Sequence, residues 1–134
     1  MQEAVKTVIH DCAAASHEER ANFGEIVGRL MGAGIERYHV DFVRRDTIYY
    51  LPDGAHEVVL LQTVSRDPAE TFSAAGVAAA VKGAQSGALK YNAFCEHVLA
   101  AGCVGYVTSI AGKRVVYYGR TGDSHVEYFP GSAP

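Results

Sequence analysis

His39 and Asp41 stand two residues apart in Tyr38-His39-Val40-Asp41-Phe42-Val43, a run that alternates in polarity and reads as a strand. At roughly 3.3 Å per residue, their side chains share one face about 7 Å apart. An imidazole and a carboxylate so placed can orient a proton donor. They can also hold a divalent metal with a third ligand such as Glu57 or His125. The same spacing serves a solvated strand face whose charges deter edge pairing. Two side chains do not make a site, so an acid/base or metal-dependent enzyme built on His39, Asp41 and Glu57 is the second reading of the sequence.

The first reading starts from Tyr49-Tyr50 and Tyr117-Tyr118. One tyrosine of each pair, Tyr50 and Tyr118, is expected in the core, its hydroxyl reaching a polar edge. The other, Tyr49 or Tyr117, is then expected on an open sheet face, with His125 near by, where it can stack on a ring or a partner's side chain. Arg44 and Arg45, with Lys113, Arg114 and Arg120, fall in the neighbouring turns. Sheet tyrosines beside arginines also suit single-stranded nucleic acid, the third reading. Residues 1 to 66 carry 7 − 10 = −3 and residues 67 to 134 carry 5 − 5 = 0, without the basic excess a phosphate backbone calls for, so nucleic acid is not the favoured partner. Cys12, Cys95 and Cys103 form no CxxC or CxxH spacing. Cys95 and His97 point about 200° apart on a helix, which makes a poor dyad.

These residues must be positioned by elements that occur twice. Gly34, Tyr38, Tyr49, Tyr50 and Gly54 return as Gly102, Tyr106, Tyr117, Tyr118 and Gly122, always 68 residues on (102 − 34 = 68). Similar residues fill the positions between, such as Ile26 with Phe94, Leu30 with Val98 and Arg45 with Lys113. The spacing reads as a tandem duplication with repeats at about 1–62 and 69–130 in a single domain, 1–134. Each repeat reads helix, helix, then three antiparallel strands. Val5, Val8, Ile9 and Cys12 mark one face of the first helix. Asn22 with Glu25 forms a capping box for the second, whose stripe is Phe23, Ile26, Val27, Leu30 and Met31. Gly34 ends it. Strands follow over 38–43, 47–51 and 56–62. The second repeat runs from a helix over 73–86, through another ended by Gly102, to strands over about 104–111, 114–119 and 124–129, and Thr63 to Glu70 connects the halves.

One repeat cannot bury two helices and a sheet face alone. The expected fold is therefore an α+β two-layer domain about a pseudo-twofold axis, with four helices on one face of the antiparallel meanders. Tyr38, Val40, Phe42, Ile48 and Tyr50 are expected under the helices, as are their counterparts in the second repeat. His39, Asp41, Thr47, Tyr49, Glu57, Tyr117, His125 and Glu127 are expected on the open face. Positions alike in both repeats are read as structural, and His39 and Asp41, which meet Val107 and Ser109, as the places to look for function.

With 134 residues, 49% hydrophobic and 20% charged, the chain has enough apolar surface for one core and is not disordered by composition. The beginning, Met1-Gln2-Glu3-Ala4-Val5-Lys6, has no signal-peptide pattern, and no run reaches about 18 apolar residues. A protein of the reducing cytoplasm, off the membrane and without a cofactor, is expected. There is no P-loop, G-x-S-x-G or G-x-G-x-x-G.

Gly34, Tyr38 to Arg44, Thr47, Tyr49-Tyr50 and Asp53-Gly54 together resemble the YdfO/YbcV-like family of small bacterial and prophage proteins of unknown function. Ala101-Gly102, Tyr106, Tyr118-Gly119 and His125-Val126-Glu127 look like the same family. The resemblance covers about Phe23 to Pro130. It implies an α+β fold of about this length and brings no catalytic residues. The whole points to a prophage-type binding or regulatory module that meets a protein partner, or a second copy of itself, through its open sheet face.

Overall fold

A computed structural model describes residues 1–62 and 64–132. Thr63, the first residue of the expected connector, and the last two residues of the expected domain lie outside the described residues. Helices α1 (Glu3–His17) and α2 (Phe23–Gly32) precede strands β1 (Arg37–Asp41), β2 (Asp46–Tyr50) and β3 (His56–Leu60). The same order returns in α3 (Ala74–Gln85), α4 (Tyr91–Ala100), β4 (Cys103–Ser109), β5 (Arg114–Gly119) and β6 (Ser124–Tyr128). The fold is α+β.

Local sequence accounts for the helix ends. Asn22 accepts from the Glu25 amide and Glu25 reaches back to the Asn22 amide, satisfying two donors that the first turn of α2 leaves open. Beyond α2 and α4, Gly34 and Gly102 take φ values of +89° and +82°, a conformation that would bring a Cβ too close to the following carbonyl. The chain thereby reverses straight into β1 and β4. Leu30, Val98 and Leu99 are fully buried, whereas Phe23 and Met31, expected on the apolar stripe of α2, lie at its exposed margin.

All six strands join one antiparallel sheet in the order β3-β2-β1-β4-β5-β6. The two meanders meet through β1 and β4, and His39 faces Val107, the residue 68 positions on, across that ladder. Helices pack against one face of the sheet, and Ile9, Cys12, Leu30, Val77, Val98 and Leu99 close the core against Tyr38, Val40 and Tyr106.

The outer strands present the opposite face from the one expected. Tyr38 pairs with Tyr49 and Val40 with Thr47, so Tyr49 and Thr47 lie under the helices, while Ile48 and Tyr50 lie on the open face. In the other half Tyr106 pairs with Tyr117, so Tyr117 is covered and Val116 and Tyr118 are open. Glu57, His125 and Glu127 pair with Tyr49, Tyr117 and Val115, and so belong to the covered face as well. Tyr49 and Tyr117 are each only 6% exposed.

Loop length is the physical reason. Asp41 pairs with Asp46 and Ser109 with Arg114, which makes both connections four-residue loops. Side chains alternate along a strand, so the length of a connection decides which residues of the next strand share a face. Both loops close through a residue in the left-handed conformation, Arg45 at φ +63° and Lys113 at φ +53°.

Candidate functional site

The covered face and the helices do not meet everywhere. Between them lies a cavity of about 1220 Å³. Its floor is built by Tyr38, Val40, Thr47, Tyr49, Tyr106 and Tyr117 of the central strands, and its roof includes Ala13, Ala14, Val81, Ala84 and Tyr91 of the helices. Ala13 and Ala14 of α1 are too short to fill the space above the sheet, and Ala84 of α3 stands exposed at its rim. The space opens to solvent at its mouth.

Five buried or half-buried tyrosines line this space, with Tyr128 at its edge. Tyr38 and Tyr49 pack with ring centroids 5.4 Å apart, and Tyr106 and Tyr117 with centroids 5.3 Å apart. The hydroxyls of Tyr91 and Tyr106 meet at 3.1 Å. Burial pushes the Tyr38 hydroxyl up to about 12 and also raises Tyr49, Tyr91, Tyr106 and Tyr117, so all five remain neutral O–H groups at ordinary pH. Charged residues stand at the mouth, where the α1–α2 and α3–α4 turns approach the ends of β3 and β6. They are Glu18, Glu19, Glu25 and Glu127 against Arg20 and Lys90.

The open face has a different composition. Along its middle runs a row of Val58, Ile48, His39, Val107, Val116 and Val126, one residue from each strand in sheet order. One flanking row carries Arg37 and Arg114, whose guanidinium carbons lie 4.0 Å and 4.9 Å from the ring centres of Tyr50 and Tyr128. The other flanking row carries Asp41, Asp46, Tyr118 and Leu60. Leu60 is 77% exposed, Val58 45% and Val126 38%.

His39 and Asp41 do share the open face, but each is engaged separately. The His39 Nε2 lies 2.6 Å from the Tyr118 hydroxyl. Tyr118 reaches it by lying across Gly105, where a Cβ would come within 2.6 Å of the Val40 oxygen and closer still to the hydroxyl. Burial, and behind it the Asp41 charge, pushes Tyr118 up to about 12. Asp41 Oδ1 accepts from the amides of Val43 and Arg44 at 2.9 and 3.0 Å and pins the β1–β2 loop. Ser109, 68 residues on, accepts from the Gly112 amide through its hydroxyl at 2.8 Å and pins the equivalent loop. Asp41 therefore does in one half what Ser109 does in the other.

The third ligand expected for a metal is on the wrong side of the sheet. Glu57 bonds His10 of α1 at 2.9 Å, a contact that holds its carboxyl below the usual range, and His125 bonds Glu127. Neither can converge with His39 and Asp41. No group of three or more His, Cys, Asp or Glu among the described residues could hold a metal ion. Arg44 is paired with Asp46 at 2.9 Å beside its own loop, and Arg45 with Asp67 of the connector between the halves at 3.7 Å. A stacking platform made of Tyr49 and Tyr117 does not exist on the open face, because both rings are under the helices.

The sequence matches the family described as protein of unknown function (DUF1398) over residues 17–127. The chain belongs to that family. The matched stretch spans both meanders, the tyrosine-lined cavity and the His39–Tyr118 contact. No curated protein matches the chain. Among the described residues no helix is long and apolar enough to cross a membrane.

Proposed function

We propose that this DUF1398 member is a binding module whose working surface is the open sheet face, and that the partner this surface fits is a second copy of the chain. The observation that carries the reading is the order of its rows, with a middle row that is apolar in five of six strands and His39 in β1, arginines along one side and aspartates along the other. A twofold axis laid along the middle row turns one copy over onto the other. Valine then meets valine, and Arg37 of each copy lies over Asp41 of its mate. Arg37 also contacts Glu36 of its own chain, which leaves the pairing across copies a rim interaction that steers more than it binds. Six strands at about 4.8 Å and five residues at about 3.4 Å give roughly 490 Å² per copy, or about 1000 Å² in all, at the lower edge of specific interfaces.

The 68-residue spacing and the mirrored strand order support descent of the two halves from a tandem duplication. The motif residues from Gly34 to Gly54 support placement with the YdfO/YbcV-like prophage and accessory proteins. Burial of Cys12, Cys95 and Cys103 suits the reducing cytoplasm. An enzyme centred on His39 and Asp41 is the weaker reading, since the Asp41 carboxylate is committed to its loop.

Sedimentation equilibrium tests the proposal. The chain is expected to dimerise with a dissociation constant in the micromolar range, weakening as salt is raised. Val116→Glu, in the middle of the face, is expected to weaken association at least about tenfold without loss of the folded circular dichroism signal. A monomer at about 1 mM, or a dimer indifferent to Val116→Glu, would overturn the reading.

A further inference from the structure

The cavity beneath the helices has no part in the open-face reading, and it lies on the other side of the sheet. Its volume of about 1220 Å³ exceeds the range of about 300–1000 Å³ usual for small-molecule sites. Its floor offers aromatic faces in two tilted pairs, Tyr38 with Tyr49 and Tyr106 with Tyr117. We propose that this cavity is a binding site for a neutral, largely apolar aromatic molecule.

Three features select that class. The rings of the floor pack chiefly on each other, and together with the aliphatic lining they make the wall predominantly apolar. The buried lining of tyrosine, valine, threonine and phenylalanine offers no charge to neutralise an ion brought inside, and desolvating one without a partner is costly. Four carboxylates against two cations at the mouth further disfavour an anion. The gap in the roof follows from sequence, since Ala13 and Ala14 stand where longer side chains would close the layer onto the sheet, and Ala84 stands exposed at the rim.

Two fluorescent probes with one ring system separate these claims. N-phenyl-1-naphthylamine is neutral, and 8-anilinonaphthalene-1-sulfonate is its anionic relative. Titrated into the full chain, the neutral probe is expected to saturate a single site and to bind at least about tenfold more tightly than the sulfonate. Ala84→Trp, which places an indole at the exposed rim of the mouth, is expected to weaken the neutral probe at least about tenfold while the melting temperature is unchanged. The comparison of the two probes on the unaltered chain does not depend on this variant, so an Ala84→Trp chain that misfolds leaves the test intact. Val116→Glu, on the opposite face, should leave probe binding alone whether or not the chain dimerises. Absence of saturable binding of the neutral probe overturns the proposal. So does equal or tighter binding of the sulfonate, or binding that a folded Ala84→Trp chain retains in full.

Discussion

The two halves of the molecule use residues 68 positions apart in two different ways, depending on which face of the sheet they occupy. On the covered face the halves agree, with Tyr38 matched by Tyr106 and Tyr49 by Tyr117, each pair stacked in the same manner. On the open face they part. Arg37 stacks on Tyr50 in the first half, whereas in the second a glycine, Gly105, lets Tyr118 lie flat and reach His39 of the first. The shared positions thus frame the cavity, and the divergent ones stitch the two meanders together across β1 and β4. Identity between halves marks the layer where shape is constrained from both sides, and difference marks the seam where only one partner is needed.

The largest expected effect falls on the shared tyrosines. Burial keeps Tyr38, Tyr49, Tyr91, Tyr106 and Tyr117 protonated in the folded chain, while the unfolded chain releases these protons above about pH 10. Their contribution is therefore complete below about pH 10 and is lost as pH rises, over the interval from about 10 to about 12 for Tyr38. Each tyrosine held protonated removes up to about 1.4 kcal/mol per pH unit in that interval, so the chain should unfold cooperatively as pH rises past about 10. Far-UV circular dichroism and tyrosinate absorbance followed through the same titration should change together. Tyrosinate appearing in a folded chain would show that burial does not hold these hydroxyls protonated and would break the distinction between the faces.

A smaller effect separates the halves themselves. Gly34 and Gly102 end α2 and α4 in the same left-handed conformation, but their surroundings differ. A Cβ at Gly34 would meet only the Leu51 side chain at 3.6 Å, whereas one at Gly102 would fall on the Thr71 carbonyl and 2.8 Å from the Phe72 Cα. Gly34→Ala should cost about 1–2 kcal/mol, the conformational strain alone. Gly102→Ala adds a clash with backbone that cannot rotate away and should cost more than about 4 kcal/mol, or prevent folding. Urea midpoints of the two variants check this, and equal losses would mean that the connector before α3 yields.

The positions of these elements were legible in the sequence because their signals are local. Asn22 with Glu25, Ser73 before α3, Gly34 and Gly102 each act within one turn of chain. The order of strands in the sheet was not legible, nor was the face each presents, because both depend on contacts between strands and on loop length. The four residues from Phe42 to Arg45, closed by a left-handed arginine, moved Tyr49 from the expected open face to the floor of the cavity. One signal of that loop was available. Asp41 and Ser109 are both side chains that cap turns, and reading them as equivalents would have identified Asp41 as structural. The cavity left only a faint trace, in the alanines of α1, since absence of bulk at Ala13 and Ala14 acquires meaning only when the opposing tyrosines are known.

The smallest effect tests the seam. Tyr118→Phe removes the hydroxyl that meets His39 at 2.6 Å and leaves the imidazole without that partner, while the ring still lies across Gly105. A half-buried hydrogen bond of this kind contributes about 1 kcal/mol, and the variant should lose that much by urea titration. Tyr50→Phe is the control from the other half. Its ring, with the Arg37 guanidinium 4.0 Å above its centre, survives the change, and the expected loss is within about 0.5 kcal/mol. A double-mutant cycle of Tyr118→Phe with His39→Val, the residue found at position 107, should show coupling of about 1 kcal/mol, because each change removes the same bond. Additive losses would mean that Tyr118 is held by its packing over Gly105 alone, and that the seam between the meanders rests on the β1–β4 ladder without help from the side chains above it.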